Sequence, residues 1–369
     1  MQHLQPNTTL QGGKYRIERV LGQGGFGITY LAKQVTLGRK VAIKEFFMKD
    51  YCGRDDKTNM MSVPSTGSKK LVEQYRKKFI KEARNLARLN HPNIISVIDV
   101  FEENSTVYYV MPYLSGGSLY GYVKHHGALC EDEAMKYTRQ IAKALKYMHE
   151  EEHICHYDVK PANILLDHKG NAVLIDFGIS KNYDASGHET TTTPVGISEG
   201  YAPIEQYQQN VAEFSPTSDV YALGATLYFL LHGKRPLSAV QYASGSPLVI
   251  DTHLSPDLND IINASMKMSK RDRANSVDVF LKDGFISRKK NNNNGSSPED
   301  NITIAKNLHR HQLGVDAPYN EGKVSYKKYV LFVLLIIALL AGYFYYNNVI
   351  STSSASQVEK ASYQDYFDR

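Results

Sequence analysis

The sequence predicts an α+β fold in which a small β-rich lobe precedes a larger helical one, followed near the C-terminus by one separate apolar helix. Three observations carry this. Strand-like runs with alternating apolar residues dominate positions 15–111, and long helical patterns take over at 131–149 and 218–231. Beyond a polar stretch, residues 329–346 form a run of 18 uncharged positions. The chain divides accordingly into an N-terminal extension (1–14), a folded domain (15–285), a disordered linker (286–328), a membrane-spanning helix (329–346) and a short tail (347–369).

Within the folded domain, strands are predicted at 15–21 and 29–33 on either side of a glycine loop, and Val41-Ala42-Ile43-Lys44 supplies a third. The segment 50–70 is long and polar, with Gly53, Asp55, Asp56, Pro64 and Gly67, and predicts a surface insertion. Residues 75–89 place Phe79, Ala83, Leu86 and Leu89 at three- and four-residue spacing, the signature of an amphipathic helix. Strands follow at 94–101, 107–111 and 172–175.

The linker opens on Arg288-Lys289-Lys290 and four asparagines, too polar to bury a core of its own. The apolar run after it measures about 27 Å as a helix, close to the hydrocarbon thickness of a bilayer. Tyr329, Tyr343, Tyr345 and Tyr346 sit at its ends, where amphipathic rings favour the interface. Lys323, Lys327 and Lys328 precede it, so the positive-inside rule places the folded domain in the cytoplasm and the tail outside. Ala338 and Gly342 form a small-xxx-small pair, compatible with a weak homodimer.

Charge excludes one class of partner. The 43 Lys and Arg residues against 38 Asp and Glu give a net charge of +5, too mild for nucleic acid, and much of the excess lies just before the apolar run. Cys52, Cys130 and Cys155 lack metal-type spacing and read as free thiols in a reducing compartment. Residues 1–10 are polar and carry no secretory signal.

The chemistry lies in three clusters. Gly22-Gln23-Gly24-Gly25-Phe26-Gly27 is followed by the strand-like Ile28-Thr29-Tyr30-Leu31 rather than by a helix, which separates it from a dinucleotide fingerprint. Its glycines bring backbone N–H groups close to phosphates. Lys44 ends an apolar strand and needs an anionic partner, which Glu82 on the predicted helix offers. Asp158-Val159-Lys160-Pro161-Ala162-Asn163 sets a carboxylate, a cation and an amide in one short loop, and Asp176-Phe177-Gly178 follows a strand later. Phosphoryl transfer needs in-line positioning and neutralised charge, and these groups supply both.

With these motifs in this order, residues 15–285 resemble the eukaryotic-type (Hanks-type) serine/threonine protein kinases, and Gly-Phe-Gly-Ile-Thr-Tyr-Leu-Ala looks like the bacterial members. The resemblance implies the two-lobed kinase fold, with ATP and Mg²⁺ as cofactors and proteins bearing serine or threonine as substrates. It implies that Gly22, Gly24 and Gly27 cover the phosphates and that Lys44, paired with Glu82, contacts them. Leu21, Thr29, Ala42 and Leu165 belong to the implied nucleotide-binding set. Met111 is the implied gatekeeper, with the Pro112 carbonyl and the Leu114 amide on adenine. Asp158 is the implied catalytic base, Lys160 the γ-phosphate contact, and Asn163 and Asp176 the metal ligands. Ser198 sits where the family has a threonine bonded to that Asp and Lys. Glu205 is expected to pair with Arg273, and Asp219 to brace the catalytic loop.

Four departures stand out. Thr29 replaces a valine over adenine, Pro112 a common hinge glutamate, and Pro203-Ile204 alters the Ala-Pro before Glu205. Tyr157 replaces the arginine before the catalytic aspartate, which normally receives a phosphate from the activation loop. Activity is therefore expected not to require phosphorylation of Thr190, Thr191, Thr192 and Thr193 at this pocket. The expected protein is a single-pass kinase of a bacterial inner membrane, anchored in the lipid bilayer through 329–346 and able to phosphorylate itself. Two readings compete. A membrane-anchored pseudokinase scaffold requires that Lys44, Asp158, Asn163 or Asp176 be missing. A small-molecule kinase fits poorly with 200–205, which resembles a protein-substrate platform.

Overall fold

The computed structural model describes residues 2–177, 181–182 (backbone only), 197–209 and 213–281. The linker, the apolar run 329–346, the tail and Thr190–Thr193 lie outside the described residues. Among the described residues no helix is long and apolar enough to cross a membrane.

The first lobe is a six-stranded antiparallel sheet: β1 (Thr9–Leu10), β2 (Tyr15–Gln23), β3 (Gly27–Gln34), β4 (Arg39–Phe46), then β8 (Thr106–Pro112) and β7 (Asp99–Glu103). Alternation along each strand separates two faces. Val41, Ile43 and Glu45 of β4 turn to the lobe core, whereas Ala42 and Lys44 take the opposite face. The expected strand at 94–101 is shorter than the pattern suggested: pairing begins at Asp99, and Ile94 instead bridges Leu174 in the second lobe.

The lobe begins before Tyr15. Leu4 and Leu10 are buried in its core, Asn7 N–H donates to the Ile17 carbonyl, and Leu4 N–H donates to the Tyr30 hydroxyl. The segment 50–70 lies largely at the surface, as expected, but is docked on the lobe. It forms a hairpin of β5 (Gly53–Arg54) and β6 (Met61–Ser62) and buries Cys52 and Met61. The anchor is Arg54, whose side chain is 1% exposed and donates at 2.5 Å to Glu45, itself fully buried. Tyr30 and Tyr108 donate hydroxyls to the same carboxylate at 2.7 and 2.8 Å. A buried carboxylate needs such partners, and composition alone could not show that a polar segment supplies one.

Helix α1 (Lys69–Arg88) starts earlier than the apolar spacing indicated and joins the lobes. Its Phe79 and Ala83 pack in the sheet-lobe core, whereas Leu86 belongs to the helical-lobe core. The second lobe comprises α2 (Leu119–His126), α3 (Glu131–Glu150), α4 (Ile204–Tyr207), α5 (Pro216–His232), α6 (Ala239–Ala243) and α7 (Pro256–Ser265). It also holds the strand pairs β10 (Ile164–Leu166) with β11 (Ala172–Leu174), and β9 (Ile154–Cys155) with β12 (Lys181–Asn182). Helix α5 is buried around most of its circumference, which its almost uniformly apolar sequence requires. It starts at a proline and ends at Gly233 in the left-handed conformation (φ 64°), the usual stop chemistry.

Candidate active site

Strand register gathers the predicted nucleotide set on one face of the sheet. Gly22 lies opposite Thr29, Thr29 opposite Lys44, and Lys44 opposite Tyr109. One step along, Leu31 pairs with Ala42 and Ala42 with Met111, so the gatekeeper position adjoins the small Ala42. Leu21, Gly22, Gly24 and Gly25 are exposed at the mouth, and Gly27 is half-buried. Gly27 is a position where glycine is required by space: a Cβ there would lie 2.7 Å from the Glu45 carbonyl oxygen. Pro112 and Leu114 follow at the end of β8, both half-buried. On the second lobe, Leu165 takes the opposite face of β10 from the buried Ile164 and Leu166.

Lys44 finds the partner its burial demands. Its Nζ lies 3.0 Å from Glu82 Oε1 and 3.0 Å from Asp176 Oδ1. Burial alone would lower its pKa, but the carboxylates of Asp176 and Glu82 hold it well above the ordinary lysine value, so the ammonium stays charged. Tyr109, which motif reading missed, donates its hydroxyl to the same Glu82 oxygen at 2.8 Å. Its ring centroid is 5.6 Å from the lysine nitrogen. The signal was a pair of tyrosines, Tyr108 and Tyr109, inside a largely apolar strand.

The catalytic loop hangs from one carboxylate. Asp219, fully buried at the start of α5, accepts from the backbone N–H of His156 at 2.8 Å and of Tyr157 at 2.7 Å, and faces the His149 ring nitrogen at 2.8 Å. Tyr157 adopts φ 62° and Asp176 φ 63°, left-handed values rare outside glycine and held here by surrounding bonds. His156 donates through Nε2 to the Ile175 carbonyl, which leaves Nδ1 to accept from the Asp158 N–H.

This frame sets Asp158, Lys160, Asn163 and Ser198 around one point. Ser198 donates to Asp158 Oδ1 at 2.5 Å, while Lys160 and the Asn163 amide donate to Oδ2 at 2.8 and 2.9 Å. Lys160 also reaches Ser198 Oγ at 2.9 Å. Further out, Arg273 forms a buried two-armed pair with Glu205 at 2.7 and 3.1 Å, and Ser218 adds a hydroxyl. Gln206, not singled out from sequence, donates to the Tyr157 carbonyl at 2.8 Å. The Tyr157 side chain itself is buried with Cys155 and Phe214, its ring 5.4 Å from the Phe214 ring.

These side chains present a cleft with a paired lysine on one wall and a hydrogen-bonded carboxylate on the other. That defines the class: a protein kinase. The protein kinase domain model matches residues 15–285, and the chain belongs to that family. It is 36% identical to serine/threonine-protein kinase PrkC of Bacillus subtilis over 234 residues, 63% of this chain and 33% of that protein. It is 32% identical to serine/threonine-protein kinase PknA of Mycobacterium tuberculosis over 266 residues, 69% of this chain and 56% of that one. The chain thus spans between a third and little more than half of the length of these relatives. A solved structure, PpkA-294 in its apo form, superposes with a TM-score of 0.65 at 27% identity, covering 76% of this chain and 99% of that one.

Protein kinases use ATP and a divalent cation, and the residues present fit such a cation. Asn163 spends its amide nitrogen on the Asp158 carbonyl and carboxylate, both at 2.9 Å, which leaves the amide oxygen as its ligand atom. Asp176 adds a carboxylate whose side chain is 46% exposed. Two hard oxygen donors of this kind suit Mg²⁺, Mn²⁺ or Ca²⁺.

Proposed function

We propose that this chain transfers the γ-phosphate of ATP to serine and threonine hydroxyls of proteins, itself included, with Mg²⁺ as the cation. The observation that carries the reading is the Asp158–Lys160–Ser198 triangle facing the Lys44–Glu82 pair. A carboxylate offers about four lone-pair sites. Ser198 takes one on Oδ1, and Lys160 and Asn163 take those on Oδ2, so among the described residues one site on Oδ1 remains for an incoming hydroxyl. Asp158 would orient that hydroxyl and accept its proton as the oxygen attacks phosphorus. Lys160, two residues on, would neutralise charge on the γ-phosphate. Lys44, fixed by Glu82, would bind the α- and β-phosphates beneath Gly22, Gly24 and Gly27. Asn163 and Asp176 would hold the cation, which when bound neutralises phosphate charge. Adenine would lie between Ala42, Thr29 and Leu165, bonded to the Pro112 carbonyl and the Leu114 amide with Met111 behind it.

At the position where the family carries an arginine that receives a loop phosphate, the Tyr157 ring is buried against Phe214. No guanidinium stands at that position, which supports transfer that does not depend on a phosphate there. The uncharged run 329–346 and the lysines before it support a single-pass anchor with the kinase domain in the cytoplasm.

The test is ³²P transfer from ATP and Mg²⁺ by the full chain in detergent, with a generic protein acceptor and an Asp158→Asn control. Label on serine and threonine that vanishes in the control is the expected result. A folded, ATP-binding wild type that transfers nothing would refute the reading and leave a scaffold. Extraction of membranes with alkaline carbonate tests the anchor: release of the chain into the supernatant would refute it.

A further inference from the structure

The tip of the glycine loop, though exposed, makes a defined contact with α1. Its Phe26 ring stacks on the Tyr75 ring of α1 with centroids 4.7 Å apart and planes 13° from parallel. Phe26 is nevertheless 54% exposed, so this is a surface contact made by choice of partner rather than a buried core packing. The backbone on the same side is held as well. Phe47 N–H donates to the Phe26 carbonyl at 3.2 Å and Lys49 N–H to the Gly25 carbonyl at 3.3 Å, continuing the β3–β4 ladder past its last regular pair. The Lys78 ammonium lies 4.3 Å from the centre of the Tyr75 ring, one helical turn on.

The helix that carries Tyr75 also carries Glu82. The two are seven residues apart, about two turns and roughly 10 Å along one face. Phe79 lies between them and meets the Tyr109 ring at 5.0 Å. A single face of α1 therefore touches the nucleotide cleft at three levels: the loop tip through Tyr75, the sheet through Phe79, and Lys44 through Glu82. The base of the loop is held separately, by the pairing of Gly22 with Thr29 and by the Gly24 N–H donating to the Gly27 carbonyl at 2.9 Å, whereas the Phe26 side chain at the tip reaches α1.

We propose that Phe26 and Tyr75 form an aromatic clasp that holds the glycine loop against α1, so that loop closure over the nucleotide and the seating of Glu82 on Lys44 are coupled. Tyr75 is a positioning residue: it touches no phosphate and acts through Phe26. The proposal rests on the kinase reading for its effect on nucleotide, but the contact itself does not. Stacked aromatic pairs of this geometry are worth about three- to tenfold in an equilibrium they control.

The experiment is a double-mutant cycle on the full chain with Phe26→Ala, Tyr75→Ala, the pair together, and Tyr75→Phe. Each alanine change is expected to raise the KM for ATP about three- to tenfold, with kcat changed less than KM. The double variant is expected to be no worse than either single one, and Tyr75→Phe, which keeps the ring, to match wild type. Thermal unfolding without nucleotide supplies the same cycle independently of transfer. Coupling in unfolding from a wild type that transfers nothing would remove the kinase reading and support the contact. Additive effects in both cycles, or a Tyr75→Phe variant as impaired as Tyr75→Ala, would overturn the clasp.

Discussion

Replacing Arg54 with methionine tests the least expected piece of this fold, the docking of the 50–70 hairpin on a buried carboxylate. The Arg54 and Glu45 side chains are 1% and 0% exposed, and the pair is charge-assisted at 2.5 Å. Removing one partner of such a pair costs about 3–5 kcal/mol, because the other charge stays buried without its counterion. Glu45 would still accept from Tyr30 and Tyr108, which places the expected loss near the lower bound, about 3 kcal/mol. Methionine keeps the volume of the aliphatic stem but loses the guanidinium, whose carbon lies 5.2 Å from the centre of the Phe47 ring. For a domain of this size the change lowers Tm by roughly 6–12 °C, read by circular dichroism or dye fluorescence. Adding Glu45→Gln to Arg54→Met removes the stranded charge and should recover more than half of the loss. A change below about 1 kcal/mol in the single variant would place Arg54 at the surface and refute the burial argument.

Ser198→Ala removes a charge-assisted bond to Asp158 at 2.5 Å and a contact to Lys160, and should lower kcat roughly ten- to hundredfold with little change in Tm. Gly27→Ala pushes a Cβ to 2.7 Å from the Glu45 carbonyl and should raise the KM for ATP severalfold, whereas Gly25→Ala meets nothing within 4 Å and should be silent; equal effects would contradict the loop geometry. Alanine at Thr190, Thr191, Thr192 and Thr193 together should leave substantial transfer, since Tyr157 stands where the family has an arginine to receive a loop phosphate and its ring packs on Phe214 instead; complete loss in the ³²P assay would disprove this. The Lys44 pKa is raised on folding, so its contribution to stability is complete below the unfolded value of 10.5 and is lost only as pH rises through the higher folded value. A denaturation series in pH should therefore show a Lys44-dependent loss, absent in Lys44→Met, only on the alkaline side.

Much of the site was legible before any coordinates because phosphoryl transfer constrains residue type and order along the chain. Lys44 in an apolar strand had to find an anion, and Glu82 at helical spacing was the one to hand; the two meet at 3.0 Å. Asp158, Lys160 and Asn163 fall within one loop, so their meeting is nearly local, and Ser198 was assigned through the family resemblance. The strand register, which sets Thr29, Lys44 and Tyr109 side by side, came from the structure.

What sequence could not supply were contacts between groups far apart and of ordinary type. Arg54 lay in a polar, glycine-bearing segment whose composition reads as surface, and only the position of Glu45 behind Lys44 turns it into a buried anchor. Tyr109, Gln206 and Tyr75 carry no motif; their roles come from what stands opposite them, at 2.8 Å from Glu82, 2.8 Å from the Tyr157 carbonyl and 4.7 Å from the Phe26 ring. The sequence by itself determined the lobes, their order and, through the family resemblance, the residues that folding gathers around Lys44 and Asp158, because periodicity and motif chemistry are written locally along the chain. Tertiary structure alone decided where the N-terminal residues and the 50–70 hairpin dock and which aromatic groups hold the glycine loop, because desolvation and ring stacking depend on neighbours that only folding brings within reach.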